Sequence, residues 1–289
     1  MRGTKDMATI LLKAQMDTFV VYLAEAEKSE TTIRKYIRDI KKFYTYAKEG
    51  TEITKQLIVD YKDFLAGQYQ LTSANSMLAA LNCFLEYIGC RDCRVRAFKI
   101  QRQLCRSRER NLTKQEYLNL LHAAKRRKQE WLYLAMLTIC ATGIRVSELP
   151  CITTEGLSTR RAKVYLKGKS RVVILPAELC HKLRRYTKSR GIRSGSIFVT
   201  KNGKPIDRSN ILHAMKKLCK EADVEPEKVF PHNLRHLFAV TYYEKEHNIT
   251  HLADILGHSN INTTRIYTLI SLEEQERQIR DLGLIPMVS

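Results

Sequence analysis

The sequence lacks any apolar run long enough to cross a bilayer. Its longest, such as Trp131 to Ala141, stop well short of the roughly 20 residues a spanning helix needs. No secretory leader is expected either, because Lys13 follows directly on the short apolar run of MRGTKDMATILLKAQ, which lacks a leader's long apolar region. A cytoplasmic location without a membrane partner is therefore expected. Metal-site spacing is missing too. Cys90-x-x-Cys93 resembles half a zinc site, but no second Cys or His pair stands at finger distance. Several of the eight cysteines fall in apolar helical patterns, where the thiol packs as a small hydrophobe. No metal, no cofactor and no disulfide framework are expected. Internal repeats and low-complexity tracts are absent as well. Above all, negative charge is scarce: 30 Asp and Glu face 50 Lys and Arg, a formal +20 over 289 residues. Such a surplus concentrates polyanions around the chain. Nucleic acid is the first candidate, with ribosomal RNA and anionic membranes as alternatives that charge alone does not separate.

The residues present, 44% of them hydrophobic, suffice for two domains with their own cores. Residues 8–92 read as a four-helix unit. Ile33, Tyr36, Ile37, Ile40, Phe43, Tyr44 and Ala47 recur at the spacing of one buried helix face, and the pattern repeats from Leu57 to Leu65 and from Ala74 to Ile88. A first helix runs around Met16 to Leu23. The opposite faces carry Arg34, Lys35, Arg38, Lys41 and Lys42, together a candidate DNA-facing surface. Taken singly, each reads more simply as a solvated charge. Residues 93–110 have little apolar periodicity and many cations, among them Arg102, Arg106, Arg108 and Arg110, and read as a basic linker able to lie on a phosphate backbone. A larger unit follows over 111–270. Thr113 and Glu116 form a capping box at its first helix. Val164 to Leu166 and Val172 to Leu175 flank a Gly168 turn as a hairpin. Helices are expected from Pro231 onward, over Thr250 to Leu256 and, in the last segment 271–289, from Ser271 to Leu282. The fold class is mainly α, with one small antiparallel sheet.

Chemistry concentrates in ATGIRVSEL (141–149), LKGKSR (166–171), PHNLRH (231–236), LGHSN (256–260) and TTRIYT (263–268). Arg145 and Arg235 are permanently charged forks suited to the oxygens of one phosphate. His232 and Arg235 share a helix face at i, i+3 spacing. Lys167 and Lys169 sit in a tight turn, with Arg171 behind them as a further DNA-binding candidate. Phosphodiester transfer by a side chain needs a nucleophile, a base, cations for the transition-state charge and an acid for the leaving oxygen. Tyrosine suits a reversible version, because its phenol is far more acidic than an alkyl alcohol and its phosphoester stays reactive. Each element also has a plainer reading: Arg145 with Glu148 as a surface ion pair, LGH as a helix end, Tyr267 as a half-buried helix residue.

The motifs together resemble the tyrosine recombinase/integrase family, especially its short Xer-like members. ATGIRVSEL, PHNLRH and LGHSNINTTRIYT look like the family's three catalytic boxes, and the N-terminal helices look like its core-binding domain. The resemblance implies that Arg145 and Arg235 bind the scissile phosphate, that His232 takes the proton of Tyr267, and that His258 donates a hydrogen bond to a phosphate oxygen. Tyr267 would form a 3′-phosphotyrosyl bond, and Glu148 would orient the site. The family's hairpin lysine falls on Lys167, with Lys169 the alternative. The implied activity is site-specific cleavage and rejoining of double-stranded DNA by a homotetramer on two DNA sites. A type IB topoisomerase and a non-catalytic DNA-binding regulator are the rival readings. Target sequence and accessory proteins are not legible.

Overall fold

In a computed structural model the described residues are 9–100, 111–166, 169–200, 202–267, 277 and 280–282, without the side chains of Leu166 and Lys169. The chain divides into two units, Met1–Arg102 and Gln103–Ser289.

The first unit is built from α1 (Ala14–Glu25), α2 (Glu30–Ala47), α3 (Lys55–Gln68) and α4 (Leu71–Tyr87). Two starts are set by hydroxyl caps: Ser29 accepts from the Thr32 N–H and Thr54 from that of Leu57. The apolar faces meet in a core containing Phe19, Leu23, Ile40, Phe43, Ile58, Tyr61, Leu65, Leu81 and Phe84. Phe19 and Phe84 meet edge to face at 5.2 Å, a favoured arrangement of ring quadrupoles. The segment read as the start of a linker at 93 opens inside this unit. Val95 is buried, and Asn82 on α4 holds both its N–H (3.0 Å) and its C=O (2.8 Å). Asn75, two turns earlier on the same helix, treats Phe98 likewise at 2.7 and 3.0 Å. Paired amides thus give an irregular segment the partners a strand would supply. Arg102, Arg106, Arg108 and Arg110 lie outside the described residues.

The second unit begins with α5 (Lys114–Arg126), where the capping box is complete: Glu116 N–H donates to Thr113 and Thr113 N–H to Glu116. Next comes α6 (Glu130–Thr142), whose Leu132, Leu134, Ala135, Met136 and Ile139 are buried. Its buried threonines, Thr138 and Thr142, donate to the carbonyls one turn back, so no hydroxyl is stranded. Gly143 ends the helix at φ +66, a left-handed conformation that side chains disfavour. A Cβ there would also lie 2.4 Å from the Phe238 ring. A 3-10 turn over Val146–Cys151 and α7 (Thr154–Thr159) lead to β1 (Arg161–Leu166) and β2 (Lys169–Ile174). The strands pair antiparallel, with Leu166 opposite Lys169 and Val164 opposite Arg171. Beyond them lie α8 (Ala177–Arg190), α9 (Arg208–Lys216), α10 (Cys219–Ala222), α11 (Pro231–Glu246) and α12 (Ile249–Leu256). Tyr267 closes a 3-10 turn over Arg265–Tyr267. The C-terminal helix and tail expected over 271–289 lie outside the described residues apart from 277 and 280–282. Among the described residues no helix is long and apolar enough to cross a membrane.

Candidate active site

Three chain reversals bring the motif residues of the second unit together. Gly143 turns the chain out of α6 into Arg145, Phe230-Pro231 opens α11 just ahead of His232 and Arg235, and Gly257 ends α12 ahead of His258. Pro suits the first turn of a helix because its missing N–H would have no intrahelical partner there.

Arg235 stands at the centre, 1% exposed. Its Nη1 donates to the Gly143 carbonyl at 2.6 Å and its Nη2 to the Leu256 carbonyl at 2.7 Å, so one guanidinium binds the ends of α6 and α12. Nη2 also lies 2.9 Å from His258 Nε2. Burial, with Arg145 nearby, pulls its pKa down to about 10, and it remains a cation at neutral pH.

His258 is read from its neighbours. An arginine has only donors, so Nε2 must present its lone pair to Arg235. The ring proton therefore sits on Nδ1, which donates to Thr264 Oγ1 at 2.8 Å. Burial and the surrounding cations, Arg235 first, lower the His258 pKa to about 4, so the free protein carries it neutral. Tyr267 is buried against this ring and that of His236: its centroid lies 6.2 Å from His258, nearly parallel, and 5.1 Å from His236, edge to face. It belongs to a small cluster with Ala239, Leu252 and Leu256. Tyr267 is thus neither half-buried nor in a regular helix among the described residues. His232, one turn before Arg235, is exposed at the start of α11.

Glu148 anchors the other side. It is 1% exposed, its Oε1 accepting from Arg145 Nη1 at 3.1 Å and its Oε2 from the Arg145 N–H at 2.7 Å. The Arg145–Glu148 pair exists, but with a buried carboxylate it is no ordinary surface pair. Arg171 was a DNA-binding candidate. It turns inward instead, giving Nη2 to Glu148 Oε2 at 2.8 Å and Nη1 to the Ile255 carbonyl at 2.9 Å. The physical reason is strand parity: Arg171 stands opposite Val164 and shares the covered face with Val173. A cleft of about 260 Å³ opens beside it, lined by Glu148, Arg171, Gly257, His258 and neighbouring residues.

Lys167 lies outside the described residues, as does the side chain of Lys169, whose backbone opens β2 opposite Leu166. In the first unit the expected cationic face is partly spoken for. Arg34 pairs with Glu30, Lys35 and Arg38 with Asp39, and Lys42 reaches the Tyr69 hydroxyl; Lys41 is exposed. The sequence reading assigned no role to His236 or Thr264. His236 lies one turn beyond His232 on α11, a visible signal; nothing in the pattern marked Thr264.

Comparison with known proteins identifies the family. The phage integrase family model matches residues 110–274, and that of the phage integrase N-terminal SAM-like domain matches 16–89. A tyrosine recombinase XerA of Pyrococcus horikoshii is 28% identical over 98% of this chain and 99% of its own. The crystal structure of a XerA recombinase superposes with a TM-score of 0.51 at 27% identity, covering 94% of this chain and 98% of that one. A lambda integrase tetramer bound to a Holliday junction gives 0.71 at 21% identity, covering 91% of this chain and 78% of that one. The chain belongs to the phage integrase family, as a Xer-like tyrosine recombinase.

Proposed function

We propose that this recombinase breaks and rejoins duplex DNA at specific sites with Tyr267 as its nucleophile. The observation that carries the reading is the convergence on Arg235 of His258, the Tyr267 ring packed on that histidine, and the like charge of Arg145. Such a buried cationic centre is suited to the dispersed charge of a phosphoryl transition state. In the proposed step Tyr267 Oη forms a bond to phosphorus as the bond to the 5′ oxygen breaks. His232 accepts the phenol proton, and Lys167, or Lys169 in its place, protonates the leaving oxygen. Arg145 and Arg235 hold the non-bridging oxygens, with His258 donating to one of them and Glu148 orienting Arg145. The product is a 3′-phosphotyrosyl ester and a free 5′ hydroxyl. Attack by a DNA hydroxyl reverses the step on a new partner, conserving the bond energy.

The domain reading belongs to the same proposal. Residues 8–92 bind the core site, 93–110 carry cations along the backbone, 111–270 hold the chemistry and 271–289 dock on a neighbouring subunit. Assembly as a tetramer on two sites is supported by the lambda integrase tetramer of the same fold.

A nicked suicide substrate tests the reading. Wild type should accumulate a covalent protein–DNA adduct, and Tyr267→Phe should bind as well but form none, because one hydroxyl adds little to an interface made of phosphate contacts. An adduct at normal yield from Tyr267→Phe would place the nucleophile elsewhere. For the lysine, Lys167→Ala should cleave ordinary DNA poorly and recover on DNA with a bridging 5′ sulfur, which leaves without a proton. The same behaviour in Lys169→Ala instead would move the role there.

A further inference from the structure

Arg171 has no part in the step just described, yet it is among the most constrained cations of the second unit. Cations meant for solvent or a DNA backbone stand on the open face of the hairpin, where Arg161 and Lys163 are exposed. Arg171 is on the other face, its side chain 16% exposed. Its two terminal nitrogens reach acceptors on different elements, Glu148 in the 3-10 turn and Ile255 at the end of α12. Its stem crosses Gly257, where an added Cβ would stand 2.6 Å from Cδ and Nε. One side chain thereby links β2, the carboxylate that holds Arg145 and the residue preceding His258.

The geometry at Glu148 says what this link does. Oε2 is shared by the Arg145 N–H and Arg171, which leaves Oε1 as the acceptor of the Arg145 guanidinium. Without Arg171 only the Arg145 N–H would hold Oε2, so the carboxylate plane could tilt and the guanidinium on Oε1 would lose its fixed direction. We propose that Arg171 is a positioning residue for DNA cleavage: by clamping Glu148 between β2 and α12 it aims Arg145 at the scissile phosphate. The two acceptors need a planar fork, so a lysine of the same charge reaches only one of them.

The inference rests on the reading of Tyr267 as nucleophile, and its test separates the two. The full-length chain is assayed on the suicide substrate for half-site affinity and for the rate of adduct formation once bound. Arg171→Gln should slow adduct formation by about 30-fold with affinity changed less than about threefold, since misplacing one group by an ångström costs up to about 100-fold. Arg171→Lys should fold as wild type and recover binding fully but the rate only in part, and it carries the test if the glutamine variant unfolds. In a Glu148→Gln background, Arg171→Gln should add less than about twofold, because residues acting through one contact are not additive. A merely structural arginine would instead lower stability and affinity in every background. A wild-type adduct rate in Arg171→Gln or Arg171→Lys, or losses that multiply with Glu148→Gln, would overturn the proposal. An adduct that persists in Tyr267→Phe would overturn the nucleophile and leave the question of Arg171 to the new one.

Discussion

Among the described residues each unit buries one carboxylate between two cations, and the two clusters differ in what surrounds them. Asp39 on α2 accepts from Lys35 at 2.8 Å and Arg38 at 3.4 Å, and Lys35 also donates to the Ser76 carbonyl on α4. The Lys35 and Arg38 side chains are 34% and 68% exposed, so water shares their charge. There two solvated cations face one carboxylate, and the cluster fastens one helix to another. Around Glu148 the arginines are drier, and a third, Arg235, adds its charge with carbonyls and His258 as its partners. Three guanidiniums stand around a carboxylate that two of them touch. That surplus is unfavourable until an anion arrives, and a phosphate diester is the anion the proposed reaction supplies. The same ingredients make a fastener in one unit and a receptor in the other.

The largest effect should come from removing each carboxylate in turn. Glu148→Ala is expected to slow adduct formation about 100-fold, on the scale of other losses in electrostatic preorganisation. Asp39→Ala should leave the rate per bound complex unchanged; a loss there as large as at Glu148 would break the distinction. Stability comes next. Asp39→Ala should cost about 1–2 kcal/mol in denaturant unfolding, below the range for fully buried pairs because its partners are solvated. Smaller still is the salt response. Exposed Lys41, replaced by alanine, should lower the slope of log affinity against log salt by about one, while Arg34→Ala, whose charge already faces Glu30, should change it less. The smallest effect is acid sensitivity. All eight histidines lie between residues 122 and 258. The His258 pKa of about 4 is below its usual 6.5, so the unfolded chain binds that proton more readily. The stability it contributes is complete above about pH 6.5 and falls as pH drops toward about 4. Hydrogen exchange should show that weakening in the second unit.

Much of this was legible locally. The Thr113–Glu116 box and the existence of the hairpin each follow from rules acting over a few residues, although β2 begins at Lys169, three residues earlier than the sequence suggested. The convergence of Arg145, Arg235, His258 and Tyr267 was legible only through the family's motifs, because residues so far apart in sequence meet through tertiary packing. Arg171 marks the boundary. Its charge invited a surface reading, although alternation with Val173 and Leu175 already placed it on the covered face. Thr264 gave no such signal; its hydroxyl matters only because a histidine ring happens to end beside it.

The contact between Arg235 and His258 has a consequence for proton counting. In the free protein Nε2 is an acceptor, and a ring in that state cannot give a hydrogen bond to a phosphate oxygen from that nitrogen. The groups facing it are Arg235 and His232 from α11, Arg145 and Arg171, all but His232 fixed cations, and burial first, then these charges, keep the ring neutral. A phosphate would cancel part of that field and invite a proton onto Nε2. Loading the site should then draw protons from solution. The heat of DNA binding would vary with the ionisation enthalpy of the buffer, the difference between half-site duplexes with and without the scissile phosphate isolating this ring, and affinity would weaken as the solution becomes more alkaline.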